Sequence, residues 1–231
     1  MNLAHATALV TGGSRGIGYE TARELKVRGA RVAICGRDVA QVKKAAEELD
    51  CLGIRADVGV AADVDRCVAE ILDAYGGFDV LVNNAAYGYF APLADIDLES
   101  FQELLQTNLV GAMLVAQASV RHFLAEGKKG HIVNVGSTAA RRGFPRGTPY
   151  VATKFALSGM TDCWRMELRK SNIRVMQVDP SEVLTGFGGG EPRVSERKLR
   201  PAEIAHAICA MLTMDDRGFI PSLEIWATNP D

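Results

Sequence analysis

Short apolar runs rich in β-branched residues alternate with longer runs of helical periodicity along the chain. Such alternation is typical of a parallel β-sheet with helices on both faces, because a long crossover must join parallel neighbours. It predicts a doubly wound α/β fold with about seven strands. The predicted strands are residues 6–11, 31–35, 53–56, 80–83, 131–135, 174–178 and 223–227. The predicted helices are residues 16–28, 40–49, 62–75, 98–126, 149–170 and 201–214.

No linker, charge block or internal repeat interrupts this alternation, and 231 residues is an ordinary length for one α/β domain. We therefore predict a single domain spanning residues 1–231. The segment 184–200 differs from the rest, because several glycines precede a polar, basic stretch. Such a segment forms either a mobile lid over a site or a slack surface loop, and we favour a substrate lid.

Charge, cysteine and histidine content argue against several kinds of protein. The 26 basic and 28 acidic side chains leave a net charge of -2, so no overall field attracts nucleic acid or an anionic membrane. Five cysteines without a C-x-x-C pair fit neither a disulfide framework nor a thiolate metal site, and they indicate a reducing cytoplasm. The four histidines show no ligand spacing, so we predict no metal.

No segment has the features of a secretory signal or a membrane span. The chain enters a strand-like run at once, without a basic region or a long apolar core. The longest charge-free stretch, residues 104–120, contains several amide and hydroxyl side chains and is predicted to be a buried helix.

A glycine-rich turn follows the first predicted strand, with the sequence Thr11-Gly12-Gly13-Ser14-Arg15-Gly16-Ile17-Gly18. Its glycines allow a sharp turn and a close backbone approach to a diphosphate, and the helix that follows presents free N–H groups to an anion. The spacing is G-x-x-x-G-x-G rather than the commoner G-x-G-x-x-G. A tight strand-to-helix turn without a ligand is therefore the alternative interpretation.

The end of the second predicted strand indicates which dinucleotide would bind. A site specific for NAD carries an acidic residue there, whereas this chain has Gly36 followed by Arg37. Arg37, together with Arg15, could bind a 2′-phosphate, which favours NADP (NADPH) as the cofactor. Asp38 is the opposing observation, because a shift of one position would bring a carboxylate to the ribose.

Tyr150 and Lys154 are four residues apart at the start of a predicted helix, so their side chains share one face. Ser137 follows the fifth predicted strand, at the edge of the sheet where open α/β folds bind ligands. With these three residues in place, the chain resembles the short-chain dehydrogenase/reductase family. The motifs that carry this resemblance, in the family's order, are residues 11–18, Asp57-Val58, Asn83-Asn84-Ala85-Ala86, Asn108, Ser137, Tyr150-x-x-x-Lys154 and residues 180–185.

The resemblance implies a single Rossmann-type domain that binds a dinucleotide and transfers a hydride between its nicotinamide and a ketone or secondary alcohol. It implies that Tyr150 donates the proton, that Ser137 binds the substrate carbonyl oxygen and that Lys154 holds the nicotinamide ribose. Asn108 would hold a water that links Lys154 to solvent, through a local distortion of its helix. A nearby ammonium lowers the pKa of a phenol, so we expect Lys154 to lower the pKa of Tyr150.

The family's cofactor contacts can also be carried across. Asp57 and Val58 would meet the adenine, and Asn84 and Ala85 would pass the adenine ribose and stabilise the sheet. The full set of predicted cofactor-binding residues is Gly12, Ser14, Arg15, Gly16, Ile17, Gly18, Arg37, Asp57, Val58, Asn84, Ala85, Tyr150, Lys154, Pro180, Val183 and Thr185. This chain departs from the family at Ala86 and Ser181, where the family usually has glycine.

Three segments are expected to form the walls of the substrate pocket: residues 87–95, 141–148 and 184–200. Their aromatic side chains suit a partly apolar carbonyl substrate. These residues are Tyr87, Tyr89, Phe90, Phe144 and Phe187. Within the family the chain is most similar to 3-oxoacyl-(acyl carrier protein) reductases and related carbonyl reductases, so a 3-oxoacyl thioester is one candidate substrate.

Several alternatives remain open. Lys128, Lys129, Arg169 and Lys170 could dock an acidic acyl carrier protein, or could simply complement helix dipoles. The resemblance implies a homotetramer or homodimer formed through the helices 98–126 and 149–170 and the last strand. The alternative functions are a sugar, polyol or steroid dehydrogenase of the same family, a non-catalytic dinucleotide-sensing regulator, or a structural subunit with a vestigial pocket.

Overall fold

Seven parallel strands form one sheet in the computed structural model, which describes residues 1–185, 187, 195 and 197–228. Their order across the sheet is β3-β2-β1-β4-β5-β6-β7. The strands are β1 Thr7–Thr11, β2 Arg31–Gly36, β3 Leu52–Arg55, β4 Val80–Asn83, β5 Gly130–Val135, β6 Ile173–Pro180 and β7 Ser222–Ile225. The predicted doubly wound, Rossmann-type fold is confirmed.

Helices cover both faces of this sheet. They are α1 Gly16–Val27, α2 Val39–Leu49, α3 Ala61–Tyr75, α4 Leu98–Leu105, α5 Ala112–Glu126, α6 Thr148–Leu168 and α7 Pro201–Thr213. One buried cluster packs α1, α2 and α7 against one face, and a second packs α3, α5 and α6 against the other. Alternate residues of β1 serve the two clusters, Val10 the first and Leu9 the second, which explains why the strand reads as a continuous apolar run.

The strand order reverses direction between β1 and β4. The chain winds from β1 to β2 and β3 on one side, and from β4 to β5, β6 and β7 on the other. The loops that leave the carboxyl ends of β1 and β4 therefore diverge and leave a crevice between them. In open α/β sheets this crevice is where ligands bind.

The predicted helix 98–126 is not one regular helix. A π-helical turn, Gln106–Gly111, separates α4 from α5. Residues 98–126 are thus helical throughout, as predicted, and the distortion expected around Asn108 is present as this π-helical turn. Within the described part of the chain, no helix is long and apolar enough to cross a bilayer.

The two ends of the segment predicted as a lid, residues 184–200, lie next to each other. The Leu184 N–H donates to Leu199 O at 2.8 Å, and the Leu199 N–H donates to Glu182 O at 3.1 Å. These bonds join the two ends of the segment at the carboxyl edge of the sheet. Residues 186, 188–194 and 196, which make up most of its span, lie outside the described residues.

Candidate active site

Ser137, Tyr150 and Lys154 come together at the carboxyl edge of the sheet. Ser137 lies two residues after the end of β5, while Tyr150 and Lys154 lie in the first two turns of α6. The Ser137 hydroxyl hydrogen-bonds to Tyr150. The Lys154 Nζ lies 5.7 Å from the centre of the Tyr150 ring and donates to Val135 O at 2.8 Å. The three predicted catalytic side chains thus form one contiguous group.

Burial dominates the electrostatics of this group. It raises the pKa of Tyr150 to about 12, against a lowering hydrogen bond from Ser137. It lowers the pKa of Lys154 to about 8, because a buried ammonium loses its hydration. The expectation that Lys154 lowers the pKa of Tyr150 is therefore wrong in this structure, since burial raises that pKa and Ser137, rather than Lys154, acts to lower it. The Lys154 ammonium is directed to Val135 O.

Asn108 connects the π-helical turn to a neighbouring loop and to α6. Its Oδ1 accepts from the Tyr87 N–H at 3.0 Å, and its Nδ2 donates to Tyr87 O at 2.9 Å and to Thr153 Oγ1 at 3.4 Å. The Thr153 hydroxyl in turn donates to Tyr150 O at 2.8 Å. Asn108 therefore holds the loop after β4 against the helix that carries Tyr150, and its role in holding a water stays a prediction.

The glycine-rich turn has the shape that a diphosphate requires. Gly12 and Gly16 have φ angles of 63° and 58°, a region that side-chain-bearing residues rarely adopt. A Cβ on Gly18 would collide with the Gly12 carbonyl oxygen. The side chain of the N-cap residue, Arg15, makes no capping hydrogen bond to α1, so the first N–H groups of this helix can bind an anion. The backbone, the missing cap and the missing Cβ atoms all fit the phosphates of a dinucleotide.

The other predicted residues of the turn surround these glycines. Ser14 lies next to Gly36 at the end of β2, with its hydroxyl 3.7 Å from where a Cβ on that glycine would stand. Arg15 precedes α1 and is exposed, whereas Ile17 packs against the core. Ser14 and Arg15 are therefore on the side of the turn that faces the end of β2 or solvent.

Asn84 and Ala85 hydrogen-bond to Thr11, the residue at which the glycine-rich turn begins. The Asn84 Nδ2 donates to Thr11 O at 2.8 Å, and the Asn84 and Ala85 N–H groups both donate to Thr11 Oγ1, at 2.9 and 3.0 Å. These bonds tie the end of β4 to the end of β1 across the crevice. The stabilising part of their predicted role thus has direct contacts in the structure.

The residues predicted to meet adenosine lie at the ends of β2 and β3. The Asp57 Oδ1 accepts from the Gly59 N–H at 2.9 Å, and Val58 is buried against Gly111 of the π-helical turn. Arg37 is exposed, with its guanidinium carbon 5.9 Å from the centre of the Tyr87 ring. Both sides of the prospective adenosine site are therefore attached to the segment after β4 and to the π-helical turn.

The remaining predicted cofactor residues follow β6. Pro180 ends the strand, and Val183 pairs with Leu199 at the base of the predicted lid. Thr185 faces the glycine turn, since its Cγ2 would lie 3.4 Å from a Cβ on Gly16. Thr185 and the N-terminus of α1 therefore bound the same space.

Aromatic rings enclose Tyr150. The Phe90 and Phe187 ring centres lie 5.6 and 5.3 Å from that of Tyr150, and Phe144 lies 6.0 Å from Phe90. Tyr150 retains only 9% of its accessible surface. Tyr89 differs from the other predicted wall residues, because its hydroxyl accepts from the Asp97 N–H at 2.8 Å ahead of α4. Apolar aromatic side chains thus border the ring of Tyr150, while Ser137 is the polar neighbour of its hydroxyl.

A sequence family matches most of the chain. The family model for short chain dehydrogenases matches residues 6–193, which include the glycine turn, Ser137, Tyr150 and Lys154. The chain belongs to the short-chain dehydrogenase/reductase family. This membership confirms the resemblance drawn from the motifs.

Characterised and solved relatives span the same fold. A sorbitol dehydrogenase from Cereibacter sphaeroides is 39% identical over 185 residues, covering 79% of this chain and 72% of the relative. An alcohol dehydrogenase from Thermococcus sibiricus, solved with 5-hydroxy-NADP, has a TM-score of 0.91 at 30% identity, covering 98% of this chain and 99% of its own. A 3-ketoacyl-(acyl-carrier-protein) reductase from Brucella melitensis, solved with NADH, has a TM-score of 0.90 at 28% identity, covering 98% of each chain.

These findings make the protein an oxidoreductase that acts on CH–OH groups, within a family that binds nicotinamide dinucleotides. The interpretation as a non-catalytic regulator or a vestigial subunit is thereby set aside. The named relatives differ in both substrate and bound cofactor.

Two residues next to the short-chain dehydrogenase site escaped the sequence analysis. Thr11 uses its hydroxyl as the acceptor for Asn84 and Ala85, and Asp179 accepts from the Ser137 N–H at 3.0 Å. The available signal was the same in both cases, a polar residue at the end of an apolar strand. Asp179 in particular is a carboxylate in a strand that is otherwise buried.

The basic residues considered for carrier docking are far from the site of their own chain. Lys128 and Lys129 precede β5, and Arg169 and Lys170 lie between α6 and β6, so all four are at the amino edge of the sheet. A carrier bound there would be separated from Tyr150 by the length of a strand, about 20 Å for six residues.

The arginines of the 141–148 wall have partners of their own. The Arg141 Nε lies 2.6 Å from Glu224 Oε1, and the Arg142 guanidinium stacks 4.4 Å from the centre of the Trp226 ring. Ser181, one of the two departures from the family pattern, donates its N–H to Ile225 O at 2.8 Å. The last strand and its extension therefore support the wall of the site.

Proposed function

We propose that the protein is an NADP(H)-dependent oxidoreductase that transfers a hydride between the nicotinamide and a ketone or secondary alcohol. The observation that carries this proposal is the contact of Ser137, Tyr150 and Lys154 beside an uncapped glycine turn. When bound, the nicotinamide supplies or accepts the hydride. The chain must then supply a proton donor, because hydride addition to a ketone leaves an alkoxide.

Tyr150 is the proposed proton donor. Burial raises its pKa to about 12, so the phenol is protonated at neutral pH, which is the state that ketone reduction needs. Ser137 donates a hydrogen bond to the same oxygen that accepts the proton. Lys154 holds the ribose of the nicotinamide, and its ammonium stabilises the phenolate left behind.

Two observations support NADP over NAD. Arg37 and Arg15 are exposed at the positions that would face a 2′-phosphate. Asp38, the alternative ribose ligand, is the N-cap of α2, where its two oxygens accept from the Gln41 N–H and Nε2 at 3.0 and 2.9 Å. A carboxylate already engaged in a cap is a poor ligand for the ribose.

The aromatic wall supports a substrate that is apolar on one side of its carbonyl. Phe90 and Phe187 flank the phenol and offer surface to an acyl chain or a ring. A 3-oxoacyl thioester meets this description. A polyol is the second candidate, because the relative with 39% identity is a sorbitol dehydrogenase.

We further propose that residues 1–231 act as one dinucleotide-binding and catalytic domain, with the segment 184–200 as its substrate lid. The protein would work in a reducing cytoplasm, in keeping with its five free cysteines. It would form a homodimer or homotetramer, because α6 exposes Phe155 and Met166 on one face and α5 exposes Met113. A second contact would use the half-exposed Trp226 after β7.

The test is cofactor oxidation by the purified protein across a panel of carbonyl compounds. The panel contains a 3-oxoacyl thioester, diketones, quinones and keto sugars, with NADPH and NADH run in parallel. We expect turnover with NADPH that falls about 10²–10⁴-fold in Tyr150→Phe while the affinity for NADPH is kept. Preference for NADH would overturn the role of Arg37, and tight NADPH binding without turnover of any compound would overturn the proposed reaction.

A further inference from the structure

Asp179 is a fully buried carboxylate at the carboxyl end of β6, in contact with the candidate catalytic group. Its Oδ1 accepts from the Ser137 N–H at 3.0 Å and from Gln177 Nε2 at 2.7 Å. A Cβ on Gly136 would collide with the same oxygen. The glycine ahead of Ser137 thus leaves room for the carboxylate to reach the backbone of the catalytic serine.

The second oxygen of Asp179, Oδ2, has a cation nearby but no hydrogen bond from the described residues. Oδ2 accepts no hydrogen bond from the residues that the structure describes, and its nearest cation is the Arg141 NH2 at 3.9 Å. Arg141 is half exposed and turns its Nε to Glu224. Burial raises the pKa of the Asp179 carboxyl, whereas its two hydrogen bonds and the charges of Arg141 and Lys154 act to lower it. The negative charge of the ionised carboxylate acts in turn on both Lys154 and Tyr150.

We propose that Asp179 is a positioning residue for the proton transfer, which fixes the Ser137 backbone through Oδ1 and sets the electrostatic potential at Tyr150 and Lys154 through its charge. This inference rests on the proposed function, because it concerns the same proton transfer. No change in the chemistry of Ser137, Tyr150 or Lys154 is required. Asp179 acts through them.

The charge has a consequence with a definite sign. A nearby anion favours the protonated form of both a phenol and an amine, so its removal lowers both proton affinities. When two groups titrate as a coupled pair, both of their apparent midpoints then move to lower pH, whichever group limits the rate. The other charged groups around Asp179, namely Arg141 and, through it, Glu224, are unchanged by a substitution at Asp179 itself.

Asp179→Asn separates the two roles. The amide keeps an oxygen for the Ser137 N–H and nearly the same shape, but carries no charge. In a plot of kcat/KM against pH for ketone reduction by NADPH, we expect the alkaline midpoint to move down by about one pH unit. Glu224→Gln is the matched control, since it removes a carboxylate from the same network near the surface, and its midpoint should stay with the wild type.

A second readout requires no substrate. Because the folded-state pKa of Lys154 is lowered to about 8 from 10.5, the unfolded chain binds more protons between these values, and the free energy of unfolding rises with pH across that window. In Asp179→Asn this rise should begin at lower pH, measured by urea denaturation at closely spaced pH values. Tyr150→Phe measured in parallel removes the contribution of the phenol.

The outcomes distinguish the inference from the proposed function. Suppose that the wild type turns over and that Asp179→Asn lowers kcat but changes neither the alkaline midpoint of kcat/KM nor the onset of the stability rise. Asp179 then only anchors the backbone of Ser137, and the inference is overturned. If no compound turns over but the onset of the stability rise still moves to lower pH, the electrostatic role stands and the proposed reaction fails. If the alkaline midpoint of kcat/KM and the onset of the stability rise both move to lower pH, the inference and the proposed function are supported together.

Discussion

The two edges of the sheet carry similar residue types but treat their charges differently. At the carboxyl edge, Lys154 and Asp179 are both buried, which lowers the pKa of the ammonium and raises that of the carboxyl. At the amino edge, Arg174 donates to the Met214 and Asp215 carbonyls at 3.2 and 2.8 Å, and Lys129 pairs with the exposed Asp216 at 2.6 Å. His131 is buried there as a neutral imidazole, since burial lowers its pKa to about 4.

The difference teaches that only one edge retains an electrostatic cost. Buried charges destabilise a fold unless they are paired and hydrogen-bonded. Perturbed pKa values are therefore found most often at functional sites. The amino edge avoids this cost by giving its cations backbone carbonyls and solvent. The carboxyl edge keeps a strained arrangement of charge next to Ser137 and Tyr150, which is the arrangement a proton-transferring site requires.

The largest expected effect is at the carboxyl edge, in Lys154→Met. Turnover should fall at least about 100-fold, because the phenolate loses its stabilising cation. The free energy of unfolding at pH 7 should rise, on the order of 1–3 kcal/mol, because a buried ammonium with a lowered pKa is removed. Steady-state kinetics and urea denaturation check the two together, and a variant that loses both activity and stability would break the comparison.

The next effect concerns acid stability at the amino edge. His131 has a pKa of about 4 in the folded chain, against 6.5 for an ordinary histidine. Between these pH values, His131 binds a proton in the unfolded chain but not in the folded chain. The stability present above pH 6.5 is therefore lost as pH falls towards 4, by up to about 3 kcal/mol. His131→Met should lose less than the wild type over this range in denaturation curves. His206→Gln, at an exposed histidine, should follow the wild type.

A smaller effect tests whether burial alone distinguishes the edges. Arg37 lies at the carboxyl edge but is exposed. Arg37→Met should weaken NADPH binding about 10–100-fold, the value of a charge-assisted hydrogen bond, and leave NADH binding nearly unchanged. Fluorescence titration with both nucleotides provides the measurement. Equal weakening of both would mean that Arg37 does not contact the 2′-phosphate.

The smallest effect is expected for Lys129→Met, the counterpart of the lysine substitution above. Its partner Asp216 and its own side chain are both more than half exposed, so removal should change the free energy of unfolding by less than about 1 kcal/mol. Its turnover should equal that of the wild type. A large loss of either would show that the amino edge, too, depends on its charges.

Much of the fold could be predicted because its signals are local. Apolar β-branched runs bounded by turn residues predict strands, and their alternation with helices predicts a parallel sheet. The grouping of Ser137, Tyr150 and Lys154 also followed, since strand ends and first helical turns meet at one edge. The glycine turn was predictable for the same reason, because the turn needs positive φ angles at positions 12 and 16 and glycine adopts them readily.

What could not be predicted depends on contacts between distant residues. Asp179 meets Ser137 across 42 residues of sequence, and nothing in its own strand indicates that partner. The pKa of Tyr150 depends on how deeply Phe90 and Phe187 bury it, which spacing does not encode. The bounds of the π-helical turn were also hidden, because apolar periodicity hardly changes when a helix gains one residue in a single turn.

That turn makes the number of residues between α4 and α5, as well as their side chains, a condition for the contacts around it. Gln106 donates to Gly59 O at 2.6 Å and Gly111 packs on Val58, both in the loop after β3, while Asn108 holds Tyr87 in the loop after β4, so two loops depend on one register. Deleting a single residue would restore a regular helix and rotate everything before it by about 100°. A substitution in this turn changes one of these contacts, whereas a one-codon deletion would detach the two loops together.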